Sequence, residues 1–130
     1  TYSKAPGEDD TSIANGITGY KGRVHVNFAA PVTEPFEDSK LLAAEMDRHI
    51  LSGYRLFPVH YLAYAQWAEA EPELQVPTAA EVFGAEELAK AQQEWQRRLD
   101  ACPAEHRPYL VLQYAMPVRN QYRIKAGLPL

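Results

Sequence analysis

The chain has 130 residues, 46% of them hydrophobic and 23% charged, which are the proportions of one ordinary globular domain. A formal net charge of -4 excludes a general electrostatic attraction to nucleic acid, and one cysteine, Cys102, excludes an internal disulfide or a cysteine zinc site. No apolar run reaches the roughly 20 residues of a membrane span, and no charged-then-apolar signal peptide opens the chain.

Residues 1–16 read as an exposed lead-in, because Pro6, Gly7, Glu8, Asp9 and Asp10 cluster polar and turn-forming types. The chain opens on Thr1 rather than Met, so a processed or truncated product is expected. From residue 17 to 130 the pattern is that of a single helical domain. After Lys21-Gly22, a turn signal, Arg23 to Phe28 alternate polar and apolar. That period of two predicts a strand with Val24, Val26 and Phe28 facing inward, ended by Pro31 and Pro35.

A first helix is predicted from Asp38 or Ser39, both good N-cap types, with Leu42, Met46, Ile50 and Tyr54 on one face. Glu45, Asp47 and Arg48 then look outward, and Gly53 marks the end. Pro58 fits the first position of a second helix, since its missing N–H has no partner there in any case. That helix is apolar nearly all round and is expected at the centre of the core or against a partner. Residues 71–77 read as a loop. Thr78-Ala79-Ala80-Glu81 is a capping-box sequence that opens a long helix, which Gly84 interrupts early. Leu88, Ala91, Trp95, Leu99 and Cys102 form its apolar seam, and Pro103 stops it. Pro108 restarts a helix that Pro117 kinks or ends. The fold class is therefore mainly α (α+β), with about four helices and one or two short strands near the N-terminal side.

The search for chemistry finds little. His25, His49, His60 and His106 show no i, i+4 zinc spacing, and each reads as a hydrogen-bonded structural histidine. Cys102 continues an apolar seam and reads as a buried thiol, despite Glu105 and His106 nearby. Glu69, Glu71, Glu73, Glu86, Glu87 and Glu94 read as a solvated acidic surface. Two basic groups remain. Lys21, Arg23 and His25, on or beside the strand, form a candidate site for an anionic group, with a charge-protected strand edge as the structural alternative. Arg119, Arg123 and Lys125, interleaved with Tyr122 and Ile124, offer peripheral contact with anionic lipid, with an ordinary C-terminal helix as the alternative.

Gly22-Arg23-Val24-His25-Val26-Asn27-Phe28-Ala29-Ala30-Pro31-Val32 resembles the late strand of the bacterial 1-acyl-glycerol-3-phosphate acyltransferases. In that glycerolipid acyltransferase family a V-x-V-x-F-G-x-P-I/V pattern recurs; Ala29 and Ala30 replace the usual Gly and acidic residue. Leu41 to Ile50 is similar to the helix that follows. Tyr54-Arg55-Leu56-Phe57-Pro58 with Tyr61-Leu62-Ala63-Tyr64 resembles the C-terminal extension of a proteobacterial branch. So does Arg107-Pro108-Tyr109-Leu110 with Pro117-Val118-Arg119-Asn120-Gln121. The likeness spans Ile17 to about Gln121.

The resemblance implies acyl transfer from an acyl thioester to a glycerol-phosphate acceptor in phospholipid synthesis, by an intact protein. The family's His-x-x-x-x-Asp and Pro-Glu-Gly-Thr-Arg motifs are both missing: Ala30, Tyr54, Ala65 and Val111 stand five positions after the four histidines. No catalytic residue, metal ligand or cofactor is carried over. The expectation is a C-terminal, non-catalytic portion whose partner is the remainder of the acyltransferase domain upstream. A homodimer through residues 23–28 is a second expectation. The expected compartment is the cytoplasm, either free or at the cytoplasmic face of the inner membrane. The alternatives are a helical protein-interaction module without enzymatic activity and, behind it, a freestanding enzyme with an unfamiliar site.

Overall fold

Apolar side chains that recur on opposite faces of one short helix force that helix to the middle. The computed structural model, which describes residues 3–19, 22–67, 71 and 73–130, places α3 (Pro58–Gln66) there. Pro58 is its first residue, and Pro58, Tyr61, Ala63 and Tyr64 are buried. It packs chiefly on α6 (Arg107–Lys125) and also on α5 (Ala85–Ala101). Ala63 on α3 and Ala115 and Val118 on α6 are 0% exposed, and the two alanines let the helix axes come close. Tyr61 meets Phe83 and Tyr122 edge-on at 5.5 and 6.4 Å, and its hydroxyl lies 3.2 Å from that of Tyr122. Trp95 seals the α5 side, its indole N–H donating to Gln66 Oε1 at 3.1 Å.

Local chemistry sets most helix ends. In α2 (Ser39–Gly53), the Asp38 side chain accepts from the Lys40 and Leu41 N–H groups at 2.7 and 2.9 Å. The Glu81 carboxylate reaches back to the Thr78 N–H at 2.6 Å and opens the single turn α4 (Ala79–Val82). Gly84 then separates α4 from α5 completely and caps α5, so the expected long helix is two helices. A 3-10 turn, Ala104–His106, follows Pro103 and leads into α6. Pro117 does not end α6. It denies a donor to the carbonyl of Gln113, an exposed residue that water can reach, and the helix runs on to Lys125.

Three expectations are corrected. The lead-in, residues 1–16, is largely exposed where described but helical from Glu8: Glu8, Asp9 and Asp10 occupy the first turn of α1 (Glu8–Thr18), where the helix dipole favours them. Among the described residues there are six α-helices and no strand. Residues 22–32 are irregular because no second strand lies alongside to complete a ladder. Finally, the inward faces are outward. Val24, Val26 and Phe28 are 77, 66 and 92% exposed, and Leu42, Met46, Ile50 and Tyr54 of α2 are exposed as well. Glu45, His49, Leu51 and Gly53 are the half-buried residues of that stretch. The helix that α2 chiefly packs on is α6, which leaves its apolar face uncovered. The buried Gln121 amide donates to the Leu51 and Tyr54 carbonyls at 2.9 and 2.5 Å, tying the end of α2 to α6.

The tail cations are used inside the fold. Arg119 and Arg123 both donate to the Glu71 carboxylate, and all three side chains are mostly buried. Burial pushes the Glu71 carboxyl up, the two guanidiniums outweigh it, and the net shift is downward. Lys125 is the exposed member of the set, 4.4 Å from the centroid of Tyr122. No helix among the described residues is long and apolar enough to cross a membrane.

Candidate functional site

Although residues 22–29 make no ladder, their alternation survives. Arg23, His25, Asn27 and Ala29 turn toward the body and line a cleft, while the even-numbered apolar residues point away. The cleft holds about 1030 Å³, at the upper end of ordinary ligand sites. The end of α2 forms one wall, with His49, Ile50 and Gly53; the opposite wall is the α5 face bearing Glu87, Lys90, Glu94 and Arg98. Arg55, Phe57 and His60 form the base where α3 begins. A Cβ on Gly53 would meet the tip of the exposed Asn27 side chain, which would have to swing aside.

Phe57 organises the charges. The Arg23 guanidinium lies 4.5 Å from the ring centroid and that of Arg55 lies 5.6 Å from it. Arg23 also donates to Glu87 Oε1 at 3.1 Å. Arg55 has no carboxylate partner among the described residues. Deeper in, Arg98 donates to Glu94 at 3.0 Å and to the Tyr114 hydroxyl at 2.5 Å. Hydrogen bonds from Arg97, then Arg98, pull the Glu94 carboxyl down to about 2. His60 stacks on Tyr114 at 5.9 Å, and its Nδ1 accepts from the Phe57 N–H at 2.8 Å. Burial pushes the imidazole below its ordinary value, so the neutral ring carries its proton on Nε2.

Of the sequence-derived candidates, Arg23 and His25 meet in this cleft and Lys21 lies outside the described residues. No family model, curated protein or solved structure matches this chain. His49 is paired with Glu45 at 2.9 Å, whereas the side chains of His25 and His106 are exposed with no hydrogen-bond partner among the described residues. Half-buried Cys102 is not in the cleft, nor is any serine among its lining residues. Among the described residues no group of three or more His, Cys, Asp or Glu is placed to hold a metal.

Arg55, Lys90 and Arg98 are the site residues that sequence reasoning missed. Lys90 and Arg98 come from α5, on a helix face that reads as ordinary solvated charge. Arg55 carries a local signal, a cation two positions before Phe57 and three before the helix-opening Pro58. With them the lining has four cations, Arg23, Arg55, Lys90 and Arg98, against two carboxylates, Glu87 and Glu94. An acidic chain thus gathers a surplus of positive charge in one cleft, an arrangement suited to receiving an anion.

Proposed function

We propose that this chain is the C-terminal, non-catalytic portion of a bacterial glycerolipid acyltransferase. The intact protein would transfer an acyl chain from an acyl thioester to a glycerol-phosphate acceptor at the cytoplasmic face of the inner membrane. Uncovered surface supports the proposal. The chain exposes 9686 Å², whereas a compact monomer of 14.6 kDa exposes about 6,900 Å². The excess includes the side chains whose periodicity says they should be covered: Val24, Val26 and Phe28 on the extended segment, and Leu42, Met46 and Ile50 on α2. Burying each such side chain gains about 1.5–3 kcal/mol. A sheet contributed by polypeptide upstream would supply the missing ladder for residues 23–28 and a floor for the apolar face of α2. The resemblance of residues 22–32 and 41–50 to the late strand and following helix of the acyltransferases gives that sheet its identity. The acid-base pair and the phosphate-holding arginine would belong to the upstream portion.

The test is the native gene product. Immunoblotting cells with an antibody to this chain should give a band well above 14.6 kDa. The purified native product should transfer labelled acyl groups to 1-acylglycerol 3-phosphate, and this chain alone should not. A native product of 14.6 kDa that transfers nothing would refute the proposal in favour of a helical protein-interaction module. Transfer by the isolated chain would refute the non-catalytic assignment.

A further inference from the structure

We propose that the cleft is a binding site for a phosphate-type oxyanion, held by Arg23 and Arg55 beside Phe57, with His25 and Lys90 in the same lining. The inference goes beyond the acyltransferase proposal and does not rest on it, because every residue it uses lies in this chain. Two guanidiniums share one aromatic ring, at 4.5 and 5.6 Å. Each is drawn to the ring, both line the same cleft, and of the two only Arg23 has a neutralising carboxylate, Glu87. The planar donor fork of Arg55 is left with no hydrogen-bond acceptor among the described residues. An anion in the cleft would neutralise that charge and use those donors.

A phosphate suits the place better than a carboxylate. Donors reach the cleft from separate elements: Arg23 and His25 from the extended segment, Arg55 from the loop before α3, and Lys90 from α5. A tetrahedral group with three terminal oxygens can answer several such directions at once, and guanidinium forks bind it in bidentate fashion. The competing internal anions give way easily. The Arg23–Glu87 pair is about half exposed on both sides, and Lys90 meets Glu86 in an ion pair that is mostly in solvent. The same oxyanion chemistry is offered by a free phosphate ester and by a lipid headgroup.

The 130-residue chain would be titrated with inorganic phosphate while its amide and arginine side-chain resonances are followed, with chloride at matched ionic strength as control. A second arm would sediment it with phosphatidylcholine vesicles, with and without phosphatidic acid. Saturable shifts at residues 22–29, Arg55 and Phe57 are expected with phosphate and not with chloride. Arg55→Gln, at an exposed residue outside the core, should weaken binding about tenfold. Glu87→Gln should strengthen it, because Arg23 is released; a purely structural role for Glu87 predicts no gain. Arg55-dependent sedimentation with phosphatidic acid would identify a headgroup as the source, and binding confined to the phosphate arm would identify a soluble ester. Absence of saturable binding in both arms would overturn the proposal, as would binding indifferent to Arg55→Gln or not strengthened by Glu87→Gln.

Discussion

Val118→Ala and Val24→Ala delete the same atoms from opposite environments. Val118 is 0% exposed on the α6 surface that meets α3, and Val24 is 77% exposed on the extended segment. Losing two methylene equivalents from a closed core costs about 1.6 kcal/mol in transfer free energy. The unfilled space adds about 1 kcal/mol, for a total near 2–3 kcal/mol. With an unfolding entropy of about 2.1 cal/mol/K per residue, that lowers the melting temperature by roughly 9 °C. Val24→Ala should change stability by less than about 0.5 kcal/mol. Urea unfolding of the two variants and the parent, followed by circular dichroism, measures both. Equal costs at the two positions would mean that Val24 is packed inward, and the uncovered apolar face would vanish with the case for an upstream sheet. In the longer native product the asymmetry should shrink, because Val24 would be covered there.

Three more predictions follow from polar groups inside the fold. The His60 imidazole is pushed down by burial, so the unfolded chain takes up its proton first as pH falls below about 6.5. Stability is full above that value and declines below it; His60→Gln, which keeps an acceptor for the Phe57 N–H, should flatten the decline in urea midpoints between pH 7.5 and 5.5. Glu71 has a net downward shift, so its contribution is full above the usual carboxylate range and is lost as pH falls through that range toward the folded value. Glu71→Gln should reduce stability at neutral pH and make acid unfolding less steep; an unchanged acid profile would refute the role given to its two arginines. Gln121→Met removes the donor that ties the Leu51 and Tyr54 carbonyls to α6. Hydrogen exchange should quicken throughout α2 while α3 and α6 keep their protection.

Features decided within about four residues were legible in the sequence. Asp38 as N-cap, Pro58 at the first helical position, the Thr78–Glu81 box and the stop at Pro103 depend on donors and acceptors that travel with the local chain. The central place of α3 was legible too, because a helix apolar on all sides has few other places to go. Periodicity separated the two faces of residues 23–28, but it does not say which side a partner occupies; here the polar face of the segment meets the body. On α2 it placed Glu45 outward, where the structure half-buries it. The cleft was half legible: alternation picked out Arg23 and His25, whereas Lys90 and Arg98 reach the same space only through the packing of α5 on α3. Arg119 and Arg123 looked like surface charge because their carboxylate, Glu71, is 48 and 52 residues away.

The extended segment couples the two proposals physically. Its odd-numbered side supplies Arg23 and His25 to the cleft, and its even-numbered side presents the uncovered valines and Phe28. In the isolated chain it is held by the exposed Arg23–Glu87 pair, by Arg23 against Phe57 and by Asn27 against Gly53. Those anchors are slight beside an ordering cost of about 1–2 kcal/mol for each residue fixed. Covering the apolar side would fix the segment in advance, and an anion arriving at the polar side would then meet donors already in place. The native product should therefore bind phosphate at this cleft more tightly than the isolated chain, with an Arg55-dependent difference that Val24→Ala or Phe28→Ala diminishes. Equal Arg55-dependent affinities would separate the ideas: the oxyanion site would stand, and the upstream sheet would not be what orders residues 22–29.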